Sequence, residues 1–256
     1  MTRTAPKSEG MPFLYSSEVA SAAILTIGNE LVSGDVENTN GSWLAQRLEA
    51  LGISVHLIAS LPDELDRIAE FVRAEAPRAD FVFVTGGLGG TPDDITREAI
   101  AAAFGVEREE VRDVADELRA RFPSDPEYAA RWATLPIGSR PLENPLGGAP
   151  GFTMDNVYVF PGLPAEMEAM FEAMEEDFRV AHPIGSWRRR YRTTESRIVT
   201  VLEAMGDRHP GVLVGSYPSF DANGSEVEIV VKSNDQAALE QAVAWLETAL
   251  EEATRV

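Results

Sequence analysis

Short apolar runs alternate with helical spacing along the first part of the chain. Each run is dominated by Val, Ile, Leu, Phe and Ala and has the length of a buried strand. The runs lie at 22–27, 55–61 and 81–85. Between the first two runs, Trp43, Leu44, Leu48 and Leu51 follow the spacing of one helix face, and Gly52 closes that segment. This alternation predicts a mostly parallel sheet with helices on both faces, a three-layer α/β/α domain.

The same signals predict the remaining elements. After the helix at 40–51, Asp63 is expected to cap a helix that runs to about residue 76, and Thr91 to cap another with Pro92 in its first turn. Further predicted elements are a helix at 108–121, a short helix at 128–132, a loop over 140–151, a hairpin of 152–154 with 157–160, and a helix at 165–179.

A smaller unit is predicted after a linker at 182–185. Its expected elements are a strand at 191–194, a helix at 195–205, strands at 212–217 and 227–231, and a helix at 236–252. This order is typical of a small α+β layer. We therefore expect a disordered leader over residues 1–19, a main domain over 20–181 and a small domain over 186–256.

Composition narrows the classes of partner. The formal net charge is −20, and a strongly acidic surface argues against nucleic acid as a main partner. The acidic residues are spread along the whole chain, which favours an adaptation to high salt over a docking patch. No apolar run reaches the roughly 18 residues of a membrane span. With no cysteine, disulfides and thiolate chemistry are excluded, and we expect a cytoplasmic protein.

A glycine-rich loop between a strand and a helix is the main candidate for chemistry. Gly86, Gly87, Leu88 and Gly89 follow the third apolar run. Such a loop offers backbone N–H groups to an anion, and the helix that follows adds partial positive charge. In open α/β sheets, ligands bind past the carboxyl ends of the strands. The alternative is a tight turn without a ligand.

Two carboxylates follow this loop and would repel a naked phosphate. Asp93 and Asp94 are expected at the second and third helical positions, where they would also complement the helix dipole by a few tenths to about 1 kcal/mol. A divalent cation such as Mg²⁺, held between these carboxylates and a phosphate-bearing ligand, resolves the conflict. The sequence therefore predicts a ligand site with Thr91 at its edge and Asp93 and Asp94 as metal ligands.

Other polar and small residues are expected to complete the site. Glu30 and Asn38 follow the first strand, although both also fit a surface loop. Small residues near the hairpin would let the backbone approach a flat ring closely. These candidates are Asn144, Gly148, Gly151 and Gly162, the last at a junction that equally fits a helix start. The histidines show no metal-ligand spacing.

Four ordered motifs resemble one family. They are Gly28-Asn29-Glu30-Leu31 with Asn38-Thr39-Asn40, Gly86-Gly87-Leu88-Gly89 with Thr91-Pro92-Asp93-Asp94, Asn144 with Gly148-Ala149-Pro150-Gly151-Phe152, and Pro161-Gly162-Leu163-Pro164. Over about residues 20–179 the chain resembles the molybdopterin-binding MoCF family, and within it the N-terminal part of the competence/damage-inducible A proteins. The small unit also fits the second domain of those proteins. Gly90 departs from the family pattern, where proline is usual.

The resemblance carries expectations about activity. It implies that Asp94 and Asp63 are catalytic, and that the protein hydrolyses a dinucleotide such as ADP-ribose or FAD with the help of a divalent cation. An alternative is molybdopterin binding, with or without adenylyl transfer in molybdenum cofactor synthesis. A third is a non-catalytic protein that binds a nucleotide or pterin. The family also implies self-association into a homo-oligomer.

Overall fold

A computed structural model describes residues 20–178, 184–221 and 224–254 of the chain. Contacts divide the chain into a larger unit, Ala20–Pro183, and a smaller unit that includes Ile184–Val256. The predicted leader at 1–19 and most of the predicted linker lie outside the described residues. Among the described residues, no helix has the length and apolar character that crossing a membrane requires.

The larger unit contains a six-stranded sheet. Its strands are β1 Ser21–Ile27, β2 Ser54–Leu61, β3 Phe81–Thr85, β6 Arg140–Leu142, β7 Gly151–Met154 and β8 Val157–Phe160. Their order across the sheet is β2-β1-β3-β8-β7-β6. Strands β2, β1, β3 and β8 are mutually parallel, whereas β7 runs antiparallel to both of its neighbours. A separate two-stranded ribbon pairs β4 Arg108–Glu110 with β5 Thr134–Pro136.

Helices cover both faces of this sheet. They are α1 Asn29–Ser33, α2 Thr39–Ala50, α3 Leu65–Glu75, α4 Thr96–Phe104, α5 Arg112–Arg121, α6 Pro126–Ala130 and α7 Pro164–Phe178, with a 3₁₀ turn at Arg131–Ala133. Alternate residues of β1 enter two separate apolar cores, Leu25 on the side of α3 and α4 and Ile24 on the side of α2 and α7. Burial on both faces explains why β1 reads as a continuous apolar run. The predicted three-layer architecture is confirmed.

The smaller unit has the predicted β-α-β-β-α order. Its elements are β9 Gly185–Tyr191, α8 Glu195–Arg208, β10 Leu213–Asp221, β11 Gly224–Ser233 and α9 Gln236–Thr254, with strand order β10-β11-β9. The strand predicted at 191–194 was wrong, because β9 ends at Tyr191. Three consecutive arginines conceal this strand in the sequence. Two of them lie beside carboxylates, Arg189 by Glu247 and Arg190 by Glu228.

Several helix starts differ from the prediction. Helix α5 begins at Arg112 and not at residue 108, because residues 108–110 form β4. Helix α4 begins at Thr96, so Thr91 is not its N-cap, and Asp93 and Asp94 lie in a turn before the helix. A local structure competes with the helix here, since the backbone N–H of Thr91 donates to Asp94 Oδ2 at 2.9 Å. Asp63 was also wrongly predicted as a cap. Helix α3 begins at Leu65, two residues later.

The loop predicted over 140–151 contains a strand at its start. Residues 140–142 pair with β7 as β6, the outermost strand of the sheet. In the sequence, Pro141 suggests a loop. Proline has no N–H to donate, but an edge strand tolerates it because no further strand needs that hydrogen bond. The short helix α1 was not predicted either. It contains no buried residue, and so lacks the apolar periodicity that predicts a helix.

Candidate functional site

The carboxyl ends of the four parallel strands meet at one edge of the sheet, called the sheet rim below. The chain leaving β1 is bonded to the end of β2, because Gly28 N–H donates to Leu61 O at 3.0 Å. The chain leaving β3 is bonded to the end of β8 in the same way, through Gly86 N–H and Phe160 O at 3.1 Å. The chain leaving β1 leads to β2 on one side, whereas the chain leaving β3 leads toward β8 on the other, so a topological switch point lies between β1 and β3.

Residues 86–90, called the Gly loop below, cross the sheet rim at close quarters. Gly86 has a φ of +107°, and a Cβ there would overlap the carbonyl oxygen of Ile27. The hydroxyl of Thr96, buried at the start of α4, donates to Gly86 O at 2.8 Å. Strand end, loop and helix start are therefore fixed to one another, and the glycine is required by the approach of two backbones.

The Gly loop keeps backbone donors available. Within the described residues, the N–H groups of Gly87, Leu88, Gly89 and Gly90 donate to no protein acceptor. The loop carbonyls are held instead by Arg97, which is 4% exposed and bonds Leu88 O at 2.6 Å and Gly89 O at 3.2 Å. Successive unpaired N–H groups in a turn are a recognised anion-binding arrangement.

Four carboxylates face this region. Partial burial raises the pKa of Asp63, the negative charges of Glu30, Asp93 and Asp94 raise it further, and a backbone N–H from Asn29 opposes the rise. That N–H donates to Asp63 Oδ2 at 2.8 Å, which replaces the helix cap predicted for Asp63. The structure thus brings together Asp63 and Asp94, which are far apart in sequence.

The turn Thr91–Asp94, called the acidic turn below, fixes the position of two of these carboxylates. The hydroxyl of Thr91 lies within hydrogen-bond distance of Asp93 Oδ1 and Asp94 Oδ2. This hydroxyl, followed by the backbone N–H of Asp93 itself, lowers the pKa of Asp93. A Cβ on Gly90 would lie 2.7 Å from the ring of Tyr128, so the absence of a side chain at residue 90 leaves room for that tyrosine.

A small cleft lies between the ends of β1 and β3. It measures about 100 Å³, and Glu30, Asn38, Asn40 and Gly162 contribute to its walls. Asn38, a predicted ligand contact, caps α2 by accepting the N–H of Gly41 at 2.9 Å, and its amide nitrogen is bonded to Thr26 and Ser60.

Sequence reasoning missed Asn40 as a residue of this cleft. Its amide nitrogen donates to Gly162 O at 2.9 Å and to Thr85 Oγ1 at 3.1 Å. Its Oδ1 is buried and has no partner within the described residues.

The predicted second wall lies at the same edge of the sheet. Because β7 is antiparallel to β8, its first residue Gly151 lies where β8 ends. Asn144 is buried, and its amide nitrogen donates to Ala149 O and to Glu166 Oε2, both at 3.0 Å. A Cβ on Gly148 would overlap the carboxylate of Glu166. The amide nitrogen of Asn144 is therefore committed to the loop and the first turn of α7.

The oxygen donors at the sheet rim suit a hard divalent cation. Among the described residues, no three carboxylates or histidines converge as a ready metal cage. Mg²⁺ commonly takes only one or two protein carboxylates and completes its shell with water and substrate phosphate oxygens. Asp63 and Asp94, with Asp93 beside them, offer such a partial set, and their mutual repulsion would be relieved by a cation.

The missed residues share a reason for being missed. Asn40 and Thr96 lie at helix starts, where their type is ordinary for capping. Arg97 follows Thr96 and reads as an exposed helix residue, yet it is buried. Burial of the guanidinium lowers the pKa of Arg97 to about 10, so it is still a cation at neutral pH. The one available signal was an arginine directly after a glycine-rich, acidic loop.

Comparison with known families covers nearly the whole described chain. Residues 23–179 match the family described as "Probable molybdopterin binding domain", and residues 190–256 match the family described as "FAD synthase, middle domain". The similarity to known families therefore extends well beyond the glycine motif. The first match contains the sheet rim, the Gly loop and the acidic turn.

Individual relatives agree with these matches. A protein of Archaeoglobus fulgidus is 39% identical over 76% of this chain and 84% of its own length. A CinA-like protein of Frankia casuarinae is 37% identical over 89% of this chain, which spans 57% of that relative's length. A crystal structure of the protein CinA from Thermoplasma acidophilum is 33% identical, with a TM-score of 0.60 over 63% of this chain and 99% of that one.

Proposed function

Since this chain belongs to the MoCF family of molybdopterin-binding domains, we propose that its sheet rim binds a phosphate-bearing nucleotide and hydrolyses its phosphoanhydride. One observation carries the proposal: the unpaired N–H groups of residues 87–90 lie beside carboxylates gathered from distant parts of the chain. The proposed substrates are dinucleotides such as ADP-ribose or FAD. The match of residues 190–256 to the middle domain of FAD synthase supports a nucleotide ligand.

Asp93 and Asp94, beside Asp63, would hold a divalent cation such as Mg²⁺. When bound, the cation would neutralise negative charge on the pyrophosphate and on the departing phosphate oxygen. The fit rests on hard oxygen donors and on clustered negative charges, which add to burial in raising the pKa of Asp63.

The chain's own groups then have separate tasks. The N–H groups of the Gly loop would hold a phosphate, which places the phosphorus in a fixed position relative to Asp63. Asp63 uses Oδ2 for the Asn29 N–H, so its Oδ1 is proposed to take a proton from the attacking water. The water oxygen bonds to phosphorus, the bond to the bridging oxygen breaks, and two monophosphates form. A raised carboxyl pKa favours this role as a base.

Replacement of Asp94 tests the proposal. With ADP-ribose or FAD and Mg²⁺, the wild-type protein should release AMP, and Asp94→Asn should lose at least about 100-fold in rate. The amide oxygen of the variant can still accept the Thr91 N–H, so its melting temperature should stay close to that of the wild type. Asp66→Asn, an exposed carboxylate three residues from Asp63, is the matched control and should keep full activity. Wild-type rates in Asp94→Asn would reject the role.

A second candidate is molybdopterin binding with adenylyl transfer, which the description of the matched family favours. Incubation with ATP, Mg²⁺ and molybdopterin would then give an adenylylated pterin, whereas the leading proposal expects none. Saturable nucleotide binding without either reaction would favour a non-catalytic binding protein.

A further inference from the structure

A larger cavity lies beside the acidic turn, apart from the small cleft. It measures about 440 Å³, and it is bordered by Gly89, Gly90 and Asp94 on one side. Arginines from three separate elements border the rest: Arg97 of α4, Arg108 of β4 and Arg131 of the 3₁₀ turn. We call it the arginine cavity. It shares two glycines with the Gly loop, so a ligand held by that loop lies next to it.

The charge of the arginine cavity differs from that of the molecule. Its borders carry three guanidinium groups against the carboxylates of Asp94 and Glu98, in a chain whose formal charge is −20. Glu98 is paired with Arg108 at 2.5 Å. A cavity that is locally positive on a strongly acidic protein is expected to concentrate anions from solution.

Within the described residues, one of these arginines keeps its guanidinium available to a ligand. Arg97 is almost fully buried and is committed to Leu88 O and Gly89 O. Arg131 is exposed, and across the described ranges no carboxylate pairs with it. Other arginines nearby do have such partners, as Arg119 has in Glu110 and Glu127. An unpaired guanidinium at a cavity is suited to bidentate recognition of a phosphate.

We propose that the arginine cavity receives the second phosphoryl group of a diphosphate ligand, with Arg131 as the residue that selects diphosphates over monophosphates. This deepens the proposed function and rests on it. The Gly loop can satisfy one phosphate by itself, whereas only a ligand with two linked phosphoryl groups reaches Arg131 as well. The substrate class is therefore a nucleoside diphosphate compound, in contrast to a pterin that carries a single phosphate.

Calorimetric titration with AMP and with α,β-methylene-ADP tests this selection. The methylene bridge prevents hydrolysis, so binding is measured without turnover. The wild-type protein should bind the diphosphate at least about tenfold more tightly than AMP. Arg131→Met should remove most of that preference and change AMP affinity less than about twofold. Arg131→Lys, which keeps the charge but loses the planar fork, should fall between them.

Controls separate this inference from a folding defect and from the proposed hydrolysis. Arg67→Met removes an exposed arginine of α3 that pairs with Glu70, and it should leave both affinities unchanged. Arg131 is exposed, so its variants should melt at the wild-type temperature. Equal losses for both nucleotides, no loss for either, or no binding by the wild type would each overturn the inference. A preserved diphosphate preference without any AMP release from ADP-ribose would overturn hydrolysis alone.

Discussion

Gly86 shows how one residue decides whether the site can form. Its positive φ turns the chain out of β3, and the missing side chain lets that turn rest on the carbonyl of Ile27. The glycine motif was predictable from the sequence, because a run of glycines between an apolar strand and a helical segment is a distinctive local pattern. The partner of Asp63 was not predictable. Asn29 lies 34 residues away, and only the pairing of β1 with β2 brings the two together.

Alanine at Gly86 should therefore destabilise the protein far more than alanine at another glycine with positive φ but open space around it. We expect Gly86→Ala to lower the free energy of unfolding by about 3 kcal/mol, from strain at positive φ plus backbone overlap. Gly34 also has positive φ, but a Cβ there would meet nothing within 4 Å. Gly34→Ala should cost only about 1 kcal/mol. Equal losses in urea unfolding would show that the overlap at Gly86 is unimportant.

Among helices and strands, those with a regular apolar pattern were predicted well from the sequence. Strand β3 was predicted at its observed bounds and α7 to within one residue, because their apolar positions face a core. The start of α4 was missed, since Thr91 bonds to Asp94 and closes a local turn instead of capping. Threonine is favoured both as a helix cap and in such a turn, so the residue type alone does not choose between them.

The loop before β7 offers a test at this level. Asn144→Asp would replace a buried amide donor with a carboxylate facing Glu166 Oε2 and Ala149 O, and should cost about 2–4 kcal/mol of stability at pH 7. Adding Glu166→Gln supplies an amide donor to the new carboxylate and should recover at least half of that loss. Glu166→Gln alone should be nearly neutral. If the double variant is no more stable than Asn144→Asp, the two side chains are not coupled.

For the whole molecule, the dominant property is charge. A formal charge of −20 on 256 residues means that like charges repel one another over the surface, and salt weakens that repulsion. Adaptation to high salt stays a prediction, as does self-association.

Melting curves in KCl test the effect of charge directly. Between 0.1 and 2 M KCl we expect the melting temperature at pH 7.5 to rise by about 5–10 °C as repulsion is screened. The control is the same series near pH 4.5, close to the sequence pI, where the net charge vanishes and the rise should be much smaller. A melting temperature that stays flat at pH 7.5, or an equal rise at both pH values, would contradict the prediction.

The placement of β8 next to β3 has a consequence for biosynthesis. A Cβ on Gly162, which follows β8, would lie 3.2 Å from the Cα of Gly86, and the N–H of Gly86 donates to Phe160 O. A nascent polypeptide that has emerged only as far as β5 carries the Gly loop and both aspartates but lacks the strand on which the loop rests. If the proposed function holds, ligand binding should therefore wait until the ribosome has released the hairpin, and a bound nucleotide would report a fully assembled sheet.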